Sequence, residues 1–205
     1  MIKGFIITVA VVLLCIWYYD KLLAIYVSNL LFTNSTWRKY AGDVPDILLL
    51  TVCVTTVVAC IVYRYRKRRN LFNRHTEFFH LIMYAVPASY VVKTILKIIF
   101  GRSNTREWLI NPGIYGFHWF QGGGSNAGFP SGHMAVFTAL AASLWRFYPD
   151  YRIIYAIVLL TLAVALIATN YHFLSDVIAG TYLGLAVEAC VFKSLDRQRV
   201  TGLHG

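Results

Sequence analysis

The residues equipped for chemistry in this 205-residue chain fall in three short stretches. His172 precedes Asp176 by four positions, so on a helix the two share a face. A carboxylate there either satisfies a buried imidazole or fixes its tautomer and stabilises its cation, as a histidine nucleophile or base requires. Pro130-Ser131-Gly132-His133 reads as a helix start. Proline costs nothing in a first turn, and small residues leave the amides of Ser131 and Gly132 approachable by an anion. The plain alternative is an ordinary helix N-terminus with His133 in the interface, and the chemical one makes His133 an acid-base group beside a bound anion. Lys97, Arg102 and Arg106 form the third stretch, where a lysine near a span end snorkels readily but a guanidinium pair suits phosphate. Lys93, one turn deeper, reads as supporting or snorkelling, and His80 and Glu188 read as structural.

Composition decides what must hold these stretches together. The chain is 58% hydrophobic and 14% charged, with a mean hydropathy of +0.59. A soluble domain carries about a quarter charged residues, so a water-surrounded globule is excluded. A membrane helix needs about 20 mostly apolar residues. Runs at 4–19, 45–63, 77–100, 130–144, 153–171 and 176–192 predict six spans in one all-α membrane domain over residues 1–205, with 22–32 as an interfacial helix. The first run has no small-residue cleavage site and reads as an uncleaved span.

The net charge of +10 comes from nineteen Lys and Arg against nine Asp and Glu. Apolar runs break up the cations, which argues for membrane topology and against nucleic-acid binding. Lys3, the block Arg64 to Arg74, Arg146, Arg152, Lys193, Arg197 and Arg199 fall on one side of six spans, and Lys21, Arg38, Lys39, Arg102 and Arg106 on the other. Both termini are therefore expected to be cytoplasmic. That topology brings the three stretches to one outer level, where ionisable groups are costly and a set of cations, two histidines and a carboxylate suggests an anion-handling site. Cys15, Cys53, Cys60 and Cys190 lie in apolar stretches without C-x-x-C spacing, which excludes a disulfide scaffold, disfavours a cysteine zinc site and reads as small core residues. The loop 101–129 holds Gly122-Gly123-Gly124 with Trp108, Tyr115, Phe117, Trp119, Phe120 and Phe129, and is either functional or a cap in the interface.

From the third span to Gly180 the sequence resembles the type 2 phosphatidic acid phosphatase family, the membrane lipid phosphatases related to vanadium haloperoxidases. That family shows a Lys followed after six residues by Arg-Pro, then Pro-Ser-Gly-His, then Ser-Arg followed after five residues by His and after three more by Asp. The second motif stands intact as Pro130-Ser131-Gly132-His133, and the end of the third as His172-Phe173-Leu174-Ser175-Asp176, continued by Val177-Ile178-Ala179-Gly180. Two departures matter. Asn104-Thr105 occupies the position of Arg-Pro after Lys97, and Ala165-Leu166 the position of Ser-Arg before His172.

The resemblance implies a six-helix phosphatase-like bundle that needs no metal or other cofactor. It makes His172 the nucleophile, Asp176 its positioning partner and His133 the acid and then the base, with Lys97, Arg102, Arg106, Ser131 and Gly132 on the phosphate. Arg106 or Arg102 is expected to replace the missing third-motif arginine. The implied activity is hydrolysis, through a phosphohistidine, of a lipid phosphate or pyrophosphate at the outer face of a bacterial inner membrane. Lipid A, undecaprenyl pyrophosphate, phosphatidylglycerol phosphate and phosphatidate are the candidate substrates, the first two favoured by the glycine-rich loop. The competing readings are a phosphotransferase using the same residues and a non-catalytic lipid-binding homologue.

Overall fold

The computed structural model describes residues 2–31 and 44–202. Arg38 and Lys39, counted above toward the outer side, lie outside the described residues, as does residue 32 of the expected interfacial helix. Helix α1, Ile2–Leu14, runs through a π-turn at Cys15–Tyr19 directly into α2, Asp20–Leu31. The first span and the interfacial helix are thus one rod, because Asp20-Lys21 does not interrupt helical hydrogen bonding: the Asp20 amide donates to the Cys15 carbonyl. Then come α3, Val44–Arg68; α4, Arg74–Phe100; the short α5, Thr105–Ile110; α6, Gly132–Phe147; α7, Arg152–Ala168; and α8, Leu174–Gly202.

Five of the described helical segments are long and apolar enough to cross a bilayer: Ile2–Leu30, Leu48–Arg68, Arg74–Phe100, Pro149–Ala168 and Leu174–Gln198. The count differs from the expected six because the run at 130–144 is α6, only 16 residues long. α6 packs against α4, α7 and α8, and Gly132, His133, Thr138 and Ser143 are buried in that contact. The outer helices show the opposite pattern. Ile153, Ile157, Leu160 and Val164 of α7 are exposed, as expected of residues facing hydrocarbon. The cysteines follow their helices rather than the expected core placement: Cys15 is buried, whereas Cys53 and Cys190 are exposed.

Two sequence signals fix the geometry around the site. α4 opens on Asn73, whose side chain accepts from the Thr76 amide, and closes at Gly101, where φ is 53° and the amide donates to the Lys97 carbonyl. A left-handed C-cap of this kind favours glycine and turns the chain sharply into the loop. On α8, a Cβ at Gly180 or Gly184 would collide with the backbone carbonyl oxygen of Ser131 or Ala135. This small-x-x-x-small face lets α8 lie directly on the α6 backbone. Farther along the same pair of helices, Arg146 donates to both carboxylate oxygens of Glu188, at 2.7 and 3.0 Å; between α4 and α3, His80 stacks on Tyr63, so both Glu188 and His80 make contacts between helices.

Candidate active site

The start of α8 assembles the centre of the site. Phe173 precedes the helix, and its amide donates to Asp176 Oδ2 at 3.0 Å, so the carboxylate in the first turn reaches back to cap the helix start. His172 lies just before α8 instead of sharing a helical face with Asp176, and its Nδ1 is 3.6 Å from Asp176 Oδ2. Both side chains are buried. Neither ring nitrogen of His172 has a hydrogen-bond partner among the described residues. Burial is the main influence on the imidazole and lowers its pKa, with Lys97 acting in the same direction and Asp176 opposing it. The resting ring is therefore favoured in its neutral form.

His172 lines a cavity of about 550 Å3 together with His133, Lys93, Lys97, Arg106 and Gly132. The two imidazoles lie with ring centroids 6.5 Å apart, and Tyr171 stands edge-on to both. α6 begins at Gly132 with Ser131 as N-cap, so Pro130 sits ahead of the helix and not in its first turn. The Ser131 hydroxyl accepts from the Met134 amide, and its own amide donates to the Asp176 carbonyl at 3.0 Å. This amide therefore ties α6 to α8 and is not aimed outward, leaving Gly132 as the member of the pair that lines the cavity.

The three cations of the expected phosphate set occupy different environments. Lys97, in the last turn of α4, lines the cavity and donates to the Ala127 carbonyl, which ties the helix to the returning loop. Arg106, on α5, donates through Nε and Nη2 to the Thr169 carbonyl at 3.2 and 2.9 Å and lies 5.2 Å from the Tyr171 ring centroid. Thr169 caps α7 three residues beyond Leu166, whose buried side chain packs with Met134 and Val177. Arg106 thus reaches from the loop to the end of the helix that lacks the third-motif arginine.

Arg102 does not line this cavity. It is completely buried, donating to Asp176 Oδ1 at 2.5 Å and to Asp20 Oδ2 at 2.7 Å. Phe173, Phe117, Tyr115 and Phe129 surround its guanidinium at 4.6 to 5.9 Å from their ring centroids. Burial works against its charge, but Asp176 and Asp20 outweigh it and raise the pKa.

Two cavity or network residues were not visible as such in the sequence. Lys93 was assigned a supporting place, yet it lines the same cavity one turn below Lys97, its ammonium 3.9 Å from the Tyr90 ring centroid. Asp20 read as the end of a span and is instead buried beside Arg102. A carboxylate inside an otherwise apolar rod was the available signal. The aromatics of the loop divide: Trp108 and Tyr115 pack on Phe173, whereas Trp119 and Phe120 are exposed. Among the described residues, no three His, Cys, Asp or Glu side chains converge as a metal-binding group.

The PAP2 superfamily matches residues 78–199, and the chain belongs to that superfamily. A lipid A 1-phosphatase of Rhizobium johnstonii is 28% identical over 103 residues, which cover 50% of this chain and 42% of that protein. The match thus spans less than half the length of that relative. No solved structure matches the chain.

Proposed function

We propose that the protein is a membrane phosphatase that hydrolyses a lipid phosphate at this cavity through a phosphohistidine. One observation carries the reading. A buried, neutral-leaning His172 has Asp176 on its Nδ1 side and a second histidine across a cavity lined by Lys93, Lys97 and Arg106. Nε2 of His172 attacks phosphorus as the bond to the lipid oxygen breaks, and His133 gives that oxygen its proton. His133 then takes a proton from water, whose oxygen attacks phosphorus and releases His172 and inorganic phosphate. The cations offset charge on the transferring phosphoryl group, where developing charge is greatest and water is scarce. Arg106 takes the place of the missing third-motif arginine, because it lines the cavity and anchors on the end of α7.

The head group enters from the outer face while the acyl chains stay in the bilayer, with both termini cytoplasmic. The Rhizobium relative named a lipid A 1-phosphatase supports a lipid A-type substrate ahead of undecaprenyl pyrophosphate, phosphatidylglycerol phosphate and phosphatidate. The test is phosphate release by purified protein in detergent and EDTA from these four lipids, beside His172→Ala. Release that survives chelation and disappears in the variant is expected. Release from wild type that stops on chelation would refute the metal-independent mechanism. Phosphate that appears only after a second lipid acceptor is added would make the protein a transferase.

A further inference from the structure

The N-terminal rod sends one charged side chain into the site, from a position outside the matched segment 78–199. Asp20 is 1% exposed and uses both carboxylate oxygens. Oδ1 accepts from the Ser175 amide at 3.0 Å, and Oδ2 accepts from Arg102 Nη2 at 2.7 Å and from the Ser175 hydroxyl. Arg102 Nη1 in turn donates to Ser175 Oγ at 2.6 Å and to Asp176 Oδ1 at 2.5 Å, and the other oxygen of Asp176 faces His172. One arginine therefore bridges two buried carboxylates, one from each end of the chain, and the turn that carries His172 is pinned between them.

We propose that Asp20 is a positioning residue of the reaction: through Arg102 and Ser175 it sets where Asp176 stands and how strongly that carboxylate supports the cationic form of His172. This rests on the proposed role of His172. A buried carboxylate beside a single arginine is expensive unless both charges are used, and here both of its oxygens are engaged, by Arg102 and by the amide and hydroxyl of Ser175. Its charge also matters at a distance. A carboxylate at position 20 shares the field of Arg102 with Asp176. With an uncharged residue there, that field falls on Asp176 alone, and His172 loses stabilisation of its imidazolium. The other titratable groups around the cavity are Tyr90, Lys93 and Lys97 from α4, His133 from α6, Arg106 and Glu107 from α5 and Tyr171 from the turn of His172, with Tyr115 beside Arg102 and Lys21 of the rod 4.1 Å from the Tyr115 ring centroid. Asp20 is the negative group contributed by the rod.

The experiment compares wild type, Asp20→Asn, Asp20→Glu and Ser175→Ala by kcat, KM and the pH profile of kcat/KM, with His172→Ala in parallel. In Asp20→Asn, kcat is expected to fall at least about tenfold with KM within about twofold, and the acid limb to move to lower pH. Asp20→Glu keeps the charge and is expected to keep the wild-type acid limb, whatever its kcat. Ser175→Ala loses one anchor of Asp20 and is expected to lower kcat several-fold, which gives a reading even where Asp20→Asn does not fold. Wild-type kcat and an unmoved acid limb in folded Asp20→Asn, or wild-type kcat in Ser175→Ala, would overturn the proposal. So would a loss in Asp20→Asn that follows loss of folded protein with the limb unmoved. An active His172→Ala would instead overturn the catalytic reading, so the two failures are distinct.

Discussion

At the scale of residues, the proposed reaction depends on keeping one imidazole uncharged next to a carboxylate. Burial lowers the pKa of His172 from the ordinary value of 6.5. The proposed nucleophile needs the neutral ring, so activity lost to protonation should be lost only below the ordinary histidine range. The acid limb of kcat/KM is expected under pH 6.5, and a limb above it would contradict the burial argument. Arg106 tests the phosphate set more directly. Charge-assisted hydrogen bonds contribute about 1.5–3 kcal/mol, so Arg106→Ala should lower kcat/KM by roughly 10- to 100-fold, with thermal stability little changed because the side chain is only half-buried. Arg102→Ala should differ in kind. Removing the cation leaves Asp20 and Asp176 buried and uncompensated, which costs about 3–5 kcal/mol, so the expected outcome is a fall in melting temperature or in folded yield rather than a clean kinetic defect.

At the scale of elements, the start of α8 and the N-cap of α6 form one unit. The Ser131 amide on the Asp176 carbonyl, and Gly180 beneath the Ser131 carbonyl, set the distance between the two histidine-bearing segments. Gly184→Ala would push a methyl group into the α6 backbone one turn farther on. Overpacking of this kind costs about 1–3 kcal/mol, and a thermal melt in detergent should register it as a lowered midpoint. Much of this unit was legible in the sequence, since Pro130-Ser131-Gly132-His133 and His172 with Asp176 carry distinctive residue types at short spacing. The rest depended on long-range contact. The partner of Arg102 is 82 positions away, and no local pattern connects an aspartate in an apolar helix to a loop arginine. α6 is shorter than the span expected at 130–144, and the sequence hides this for a related reason: an apolar run looks the same whether lipid or other helices cover it. Likewise, the outward amide expected of Ser131 was already committed to a helix that only folding brings near.

At the scale of the whole molecule, the cavity and the basic block lie at different ends of the helices. The cavity opens at the end where α4 finishes and α6 and α8 begin, whereas the basic block Arg64 to Arg69 closes α3 before α4 starts. These two ends are expected on opposite sides of the membrane. In intact cells, a membrane-impermeant thiol reagent should label Gly124→Cys, beside the cavity, and leave Arg69→Cys unlabelled until the membrane is opened. The reverse pattern would invert the proposed topology.

The π-turn at Cys15–Tyr19 gives the rod an additional property. A π-turn absorbs one residue more than an ordinary α-turn, and each residue of an α-helix advances the side chains by about 100°. The buried Val12 of α1 and the inward direction of Asp20 are therefore phased separately, with the spare residue taken up between them. Shortening this turn by one residue, for example at the exposed Trp17, would close it to regular helix and leave Asp20 facing Arg102. Redrawing the same residues as regular helix without a deletion would swing Asp20 a quarter-turn away. Cys15–Tyr19 is thus the place where the anchor can change length by one residue over evolution while the carboxylate keeps its bearing.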